Sequence, residues 1–171
     1  MNRTLRWYAV SAVVLLVDQI TKVAAAEGLE FGRSVTVVAD YLYLTLAHNP
    51  GAAFSILADA GGWQRWFFVV LGAGVAAAIS FWILRMPREW VWQPLALALV
   101  LGGALGNVVD RLVFGYVIDF VQVYLPFLPW RLFNPWPAFN VADAAISVGA
   151  VMLVVDVIRG GKAQERREDG L

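Results

Sequence analysis

Long apolar runs alternate with short polar segments along this chain. Four of the runs are each about 20 residues long, the length that a helix needs to cross a hydrocarbon core of roughly 30 Å. They cover about residues 7–26, 63–84, 91–112 and 141–158. The pattern predicts an all-α membrane bundle of four transmembrane helices, built as a single integral membrane domain over residues 1–171.

The first run has a second interpretation. Arg3 and Arg6 precede it and alanines end it at 24–26, as in a removable signal peptide. Asp18 and Lys22 interrupt its apolar centre, which favours a retained helix. These two residues are four apart and share a helix face, so they either form an ion pair that lowers the cost of insertion or support a site at that helix end.

Between the first two runs the pattern changes to that of strands. Residues 34–38 and 41–46 are rich in β-branched and aromatic side chains, and they predict a small β-hairpin within about residues 33–48. Such a hairpin, resting on the lipid surface, would cradle an apolar substrate. The segment 48–51, which reads His-Asn-Pro-Gly, predicts a turn that ends the second strand.

The third run ends in polar residues. Asn107, Asp110 and Arg111 are spaced i, i+3 and i+4, which brings Asn107 onto one helix side with either charged residue. The next connection, 116–138, is rich in Pro and Trp and predicts an interfacial lid or belt, not a fourth crossing. The charged tail 160–171 has the composition of a disordered segment.

The distribution of charge along the chain predicts its orientation in the membrane, whereas the net charge indicates no charged partner. Thirteen basic and thirteen acidic residues cancel, so no net field recruits nucleic acid. Basic residues concentrate on the side of the two termini: Arg3, Arg6, Arg85, Arg88, Arg159, Lys162, Arg166 and Arg167. Fewer lie on the other side: Arg33, Arg65, Arg111 and Arg131. The positive-inside rule then predicts that both termini are cytoplasmic and that the hairpin is extracytoplasmic.

Composition narrows the chemistry. The chain has no cysteine and one histidine, His48, so disulfides, thiolate catalysis and Cys-ligated zinc are excluded. A histidine-built metal cage or a Ser-His triad is hard to assemble from a single histidine. We therefore expect no metal and no cofactor, and carboxylates, amides and hydroxyls remain as the available groups.

Two acids stand out among these groups. Asp119 is flanked by Ile118 and Phe120, and Asp143 lies in the first turn of the last run. If they face each other, one keeps its proton while the other stays ionised, and together they can hydrolyse a peptide bond. A capping role remains open for Asp143, because Asn140 is a good N-cap and an acid three residues later completes a capping box.

Five motifs, in order along nearly the whole chain, resemble the lipoprotein signal peptidases, the bacterial type II signal peptidase family of membrane aspartyl proteases. The motifs are Asp18-Gln19-Ile20-Thr21-Lys22, Asn49-Pro50-Gly51-Ala52-Ala53-Phe54, Gly103-Ala104-Leu105-Gly106-Asn107-Val108-Val109-Asp110-Arg111, Val117-Ile118-Asp119-Phe120 and Phe139-Asn140-Val141-Ala142-Asp143. The resemblance implies that Asp119 and Asp143 are the catalytic pair. The connection between them looks longer than is usual in the family, through residues 128–131 and 134–136.

The resemblance also implies substrate and supporting roles. It implies that Asn49, Asn107, Arg111 and Asn140 bind substrate or support the acids, and further candidates for a supporting role are Asp18, Lys22 and Asp110. The family cleaves prolipoproteins just before a cysteine that carries diacylglycerol, so the implied partners are a lipid-modified prolipoprotein and membrane lipid. The implied location is the bacterial inner membrane, with a monomer as the expected form and the active site on the extracytoplasmic face.

Two other classes stay open from the residues alone. A small ion- or proton-coupled transporter would use the same acids as a relay, although such a path needs polar groups through the midplane. A non-enzymatic assembly scaffold would tolerate replacement of either acid. For Asp110 and Arg111, a structural ion pair with Asp18 or Lys22 competes with a role in the site.

Overall fold

The computed structural model describes residues 4–51, 61–87, 90–127 and 134–168, the segment 161–168 as backbone only. The four helices are α1 (Leu5–Gly28), α2 (Trp63–Arg85), α3 (Trp92–Val113) and α4 (Val141–Glu168), and the three strands are β1 (Val35–Val38), β2 (Leu42–Asn49) and β3 (Val117–Val123). Three predicted features lie outside the described residues: motif positions 52–54, the added segment 128–131, and the last residues of the tail.

All four helices are long and apolar enough to span a membrane, which confirms the predicted bundle. α3 is the central helix because its small residues let other helices approach closely. A side chain at Gly102 would overlap Ser11 of α1, and one at Gly103 would overlap Ala142 of α4. On the third side, Gly72 of α2 lies against Val108.

Helix direction follows from these contacts. Residues 11 and 18 of α1 meet residues 102 and 106 of α3, so α1 and α3 run the same way. Ala142 meets Gly103, whereas Met152 accepts a bond from Trp92, so α4 runs the opposite way. As a result, the polar residues of three motifs meet at one end of the bundle, which we call the polar end: Asp18, Lys22, Asn107, Asp110, Arg111, Asn140 and Asp143.

The opposite end of α1, α2 and α3 forms an apolar core, which we call the apolar end. Its buried members are Trp7, Ala76, Ile79, Ile83, Leu97, Ala98 and Leu101. The hydroxyl of Tyr8 donates to the carbonyl of Ser80 at 3.0 Å, and that of Ser11 donates to the carbonyl of Ala98 at 2.9 Å. Both bonds link different helices through a backbone acceptor.

The sheet is three-stranded and antiparallel, in the order β1-β2-β3. The predicted hairpin is present, and Asp40 takes a positive φ of 67° in its turn. The interpretation of 116–138 as a lid or belt is wrong for β3, which occupies Val117–Val123. Its Val, Ile and Phe residues favour a strand, but the Pro and Trp residues that follow dominated the sequence pattern.

Two segment ends also differ from the sequence-based prediction. β2 continues through His48 and Asn49, where a turn was predicted, because these residues pair with Ile118 and Val117 of the unpredicted strand. α4 continues as backbone helix to Glu168, although disorder was predicted for 160–171. Residues such as Ala, Gln, Glu and Arg extend a helix readily once it has formed.

Candidate active site

Asp119 enters the site from β3, where it pairs with Ala47 of β2. Its side chain is only 2% exposed, and both carboxyl oxygens accept bonds from amides. Asn140 Nδ2 donates to Oδ1 at 2.7 Å, and Asn49 Nδ2 donates to Oδ2 at 3.2 Å. Asn49 can reach it because β2 extends beyond the predicted turn. The strand pairing therefore fixes both the acid and one of its partners.

Asp143 enters from the first turn of α4. The N–H of Asp143 donates to Asn140 Oδ1 at 2.9 Å, and the N–H of Asn140 donates to Asp143 Oδ2 at 3.3 Å. This reciprocal pair is the capping box that the sequence allowed. The other oxygen, Oδ1, accepts a 2.8 Å bond from Asn107 Nδ2. Capping therefore uses one carboxyl oxygen and leaves the other for a separate interaction.

Asn140 joins the two acids. Its side-chain amide contacts Asp119 and its backbone amide contacts Asp143, while the residue itself is fully buried. Its Nδ2 also lies 3.3 Å from Asn107 Oδ1. The structure therefore brings Asp119 and Asp143 to one place, held through a shared asparagine.

Both acids line a cavity of about 650 Å³ that is bordered mainly by apolar groups. It is lined by Ala47, His48, Asn49, Asn107, Arg111, Val117, Asp119, Trp136, Pro137, Ala138, Phe139, Asp143, Ala144, Ile146, Ser147 and Val148. The cavity thus lies between the sheet, the segment before α4, and α4 itself. Phe139 and Val121 exchange two backbone bonds of 2.9 Å, which hold that segment against β3.

The pKa of Asp119 is raised to about 7, mainly by burial and with a smaller contribution from the nearby charge of Asp143. The amide donors of Asn49 and Asn140 oppose this shift. A carboxyl group with a pKa near 7 keeps its proton over much of the neutral range, which suits a general acid. The site therefore contains an acid adapted for proton transfer near neutral pH.

Arg111 borders the cavity and also bonds backbone carbonyls of the protein. Its Nη2 donates to the carbonyl of Gly51 at 2.7 Å, and its Nη1 donates to the carbonyl of Asn107 at 3.3 Å. The guanidinium also lies over the ring of Phe68, 4.9 Å from its centroid. Within the described part of the chain, no acid forms an ion pair with Arg111. The predicted alternative of an ion pair with Asp18 is therefore wrong for Arg111.

For Asp110, the predicted structural ion pair is present, and its partner is Lys22. Lys22 Nζ lies 2.9 Å from a carboxylate oxygen of Asp18 and 2.9 Å from one of Asp110. Gln19 Nε2 donates to Asp110 Oδ1 at 2.8 Å. These residues lie beneath the cavity rather than in its lining, so the structure separates them from the residues that can touch a ligand.

Several cavity residues were not predicted as site residues. Trp136 lies in the Pro- and Trp-rich connection, Phe139 directly follows that connection, and Ile146 and Ser147 follow one helical turn after Asp143. The i, i+3 and i, i+4 spacing from Asp143 would have identified the last two. His48, predicted as a turn residue, instead stacks on Tyr116 with ring centroids 4.1 Å apart.

Comparison with known proteins gives one consistent result. The family model described as Signal peptidase (SPase) II matches residues 10–159. A lipoprotein signal peptidase of Pseudomonas fluorescens is 47% identical over 165 residues, covering 96% of this chain and 94% of the relative. One of Teredinibacter turnerae is 48% identical over 158 residues, covering 92% and 90%. A bacterial membrane enzyme solved by the in meso method at 2.3 Å resolution superposes with a TM-score of 0.78 at 26% identity, covering 90% of this chain and 88% of that one.

Proposed function

The chain belongs to the signal peptidase II family, and on that basis we propose that it removes signal peptides from prolipoproteins with Asp119 and Asp143 as its catalytic pair. The observation that carries the assignment is Asn140, which bonds both carboxyl groups within one cavity. Two acids that share a cavity and differ in their surroundings can divide the roles of acid and base.

Asp143 is the base in this proposal and Asp119 is the acid. Asp143 lies at the N-terminus of α4, where the helix dipole favours a negative charge, whereas the pKa of Asp119 is raised to about 7 by burial. Asp143 takes a proton from water as the water oxygen attacks the scissile carbonyl. Asp119 protonates the carbonyl oxygen as the tetrahedral intermediate forms. Collapse of that intermediate returns a proton to Asp119, and the proton held by Asp143 passes to the leaving amine.

The asparagines and Arg111 have separate tasks. Asn49, Asn107 and Asn140 hold the carboxyl groups in place through the bonds already described. Arg111 borders the cavity, and within the described part of the chain its Nε has no hydrogen-bond partner, so it can orient a substrate oxygen. The three asparagines therefore position the acids and Arg111 positions the substrate, and none of these four residues takes part in bond breaking.

The form of the cavity supports a substrate that is peptide-like at one end and apolar at the other. Polar groups gather around the two acids, while Ile146 and Val148 lie along the membrane-spanning part of α4. We therefore propose cleavage just before a diacylglyceryl-modified cysteine, whose acyl chains stay in the bilayer. The distribution of arginine supports cytoplasmic termini and an extracytoplasmic site. Because one chain supplies every group named, a monomer suffices.

The direct test is cleavage of a diacylglyceryl-modified precursor in detergent or lipid, followed as a shift in gel mobility. Asp119→Asn and Asp143→Asn are each expected to lower kcat on the order of 10³–10⁴-fold, because each removes one partner in proton transfer. Asp156→Asn is the matched control, since it makes the same change elsewhere on α4, where Asp156 accepts a bond from Gln93. An unlipidated precursor tests lipid dependence.

Two results would overturn the proposal. Full activity in either variant would remove the acid–base pair, and equal cleavage of both precursors would remove the lipid requirement. EDTA is expected to leave activity unchanged, because the proposed steps use only carboxyl groups and water. Loss of cleavage with EDTA and its return with zinc would replace the aspartyl mechanism with a metal-dependent one.

A further inference from the structure

A buried group of three charges lies beneath the cavity. Lys22 is 1% exposed, and Asp18 and Asp110 are fully buried. The ammonium of Lys22 has three donors, and each has an acceptor: Asp18 Oδ2 at 2.9 Å, Asp110 Oδ2 at 2.9 Å and Asn107 Oδ1 at 3.0 Å. The group carries one net negative charge, so neutralisation alone does not explain its composition.

Each carboxylate in this group also holds a backbone amide beside a catalytic acid. Asp18 Oδ1 accepts the N–H of Ala142 at 2.8 Å, and Ala142 directly precedes Asp143. Asp110 Oδ2 accepts the N–H of Ile118 at 3.0 Å, and Ile118 directly precedes Asp119. The main chain of each acid is thus fixed one residue upstream by a separate carboxylate. Lys22 lies between those two carboxylates and bonds both.

Lys22 also helps to fix which way the amide of Asn107 faces. Because the ammonium can only donate, it selects Oδ1 of Asn107 and directs Nδ2 toward Asp143 Oδ1, 2.8 Å away. With the amide reversed, two oxygens would face each other at the catalytic acid. Asn140 Nδ2, 3.3 Å from the same oxygen, favours the same orientation, so a neutral residue at position 22 would remove the closer and charged one of two donors.

We propose that Lys22 is a positioning residue that sets the spacing of Asp119 and Asp143 by joining the two carboxylates that anchor their backbones and by orienting Asn107. This inference rests on the proposed function, because it requires those two acids to be the catalytic pair. A purely stabilising role is a poor explanation of the arrangement, since apolar replacement of a buried ion group is often neutral or stabilising. Removing one member alone, by contrast, leaves buried charge unpaired.

The first test is Lys22→Met, which keeps the length of the side chain and removes its charge. We expect kcat on the diacylglyceryl-modified precursor to fall roughly 100-fold, the effect of misplacing catalytic groups by about 1 Å. KM is expected to change much less, because Lys22 lies outside the cavity lining. Ser11→Ala is the matched control: it removes another buried donor from α1, at the apolar end, and is expected to leave kcat unchanged.

A triple variant separates positioning from folding. Asp18→Asn, Lys22→Met and Asp110→Asn together remove all three charges, while an amide oxygen at 18 and at 110 can still accept the N–H groups of Ala142 and Ile118. We expect its Tm to be at or above that of Lys22→Met, with kcat still reduced. Recovery of kcat along with Tm would show that the group only stabilises the fold, and the inference would be overturned.

The pH profile of Lys22→Met gives a measurement that does not depend on the amount of folded protein. The charged groups that interact with Lys22 or with Asp119 are Asp18 on α1, Asp110 and Arg111 on α3, and Asp143 on α4. Loss of the positive charge is expected to move the alkaline limb of the kcat profile, assigned to Asp119, to higher pH. Partial unfolding would lower the whole profile without moving it, and an unmoved profile would contradict the proposal.

The outcomes distinguish this inference from the proposed function. Retained activity in Asp119→Asn or Asp143→Asn would remove the catalytic pair itself, whatever Lys22→Met shows. Loss of activity in both, with kcat and pH profile unchanged in Lys22→Met, would overturn the role of Lys22 alone.

Discussion

The two ends of the bundle join the same helices by different means. At the apolar end, apart from the bond between Ser11 and Ala98, α1 and α3 meet through side chains such as Trp7, Leu97 and Leu101, which contribute by area and have no required direction. At the polar end, the same two helices meet through Lys22, Asp18 and Asp110, whose bonds require particular atoms at particular distances. Only the second arrangement can hold one reactive group in register with another.

The difference shows how one small bundle separates stability from chemistry. Apolar contacts tolerate small shifts at little cost, whereas buried charges must be desolvated and lose much of their attraction when the geometry changes. The acids lie where the directional contacts are, and the bulk of the apolar core lies away from them. We therefore expect substitutions at the polar end to change activity more than stability, and those at the apolar end to do the reverse.

Among the substitutions that test this comparison of the two ends, Gly103→Ala has the largest expected effect. A methyl group there would overlap the backbone carbonyl of Ala142, which cannot move without displacing the first turn of α4 and Asp143. We expect kcat to fall on the order of 100-fold, because a small displacement of Asp143, the proposed catalytic base, is costly. The measurement is the cleavage rate of the lipid-modified precursor at saturating concentration.

Gly74→Ala is the control for this substitution. No heavy atom outside its own helix neighbourhood lies within 4 Å of an added Cβ, so the change is expected to be neutral or slightly stabilising. Gly72→Ala lies between the two, since its added methyl group meets the Val108 side chain at 2.5 Å. Equal losses of kcat at Gly103 and Gly72 would show that helix packing in general, rather than the first turn of α4, limits catalysis.

The sequence was sufficient for the parts of this picture that depend on local pattern. Helix length and apolarity predicted the four spans, and the spacing of Asn140 and Asp143 predicted the capping box. It did not predict that Asn49 contacts Asp119, because that contact depends on β2 pairing with β3 across 70 positions of the chain. Long-range strand pairing leaves no periodic signal in either segment.

The charged residues illustrate the same limit. A spacing of four placed Asp18 and Lys22 on one face, but the sequence could not choose between an ion pair and support of the site. The structure shows that Lys22 forms an ion pair with Asp18 and also donates a hydrogen bond to Asn107. The ion pair and the contact with the site therefore coexist. Such a three-point contact depends on the packing of α1 against α3, which the sequence alone did not determine.

A smaller effect concerns the cost of burying Asp119. Its pKa is about 7 in the folded protein and 3.8 in the exposed reference state, so the folded protein binds a proton more tightly. Stability therefore falls as pH rises from about 4 to about 7, and the full penalty is present above that window. Asp119→Asn removes the penalty and is expected to stabilise the protein on the order of 1–3 kcal/mol at pH 8.

Thermal unfolding in detergent at pH 4, 6 and 8 measures this difference. The gap in Tm between Asp119→Asn and the parent protein is expected to widen as pH rises. Asp40→Asn, in the exposed turn between β1 and β2, removes a carboxyl group without burial and keeps a residue that tolerates positive φ. A gap that stays constant with pH would show that Asp119 is not strained by its burial.

The smallest effect tests the apolar end. Tyr8→Phe removes a hydroxyl that donates to the carbonyl of Ser80 at 3.0 Å and so links α1 to α2. We expect a loss of about 0.5–1.5 kcal/mol of stability, the usual contribution of one such bond. Because neither residue belongs to the lining of the active-site cavity, kcat and its pH profile are expected to stay unchanged. A fall in kcat without a fall in Tm would mean that the two ends are coupled along α1, and the separation of stability from chemistry would fail.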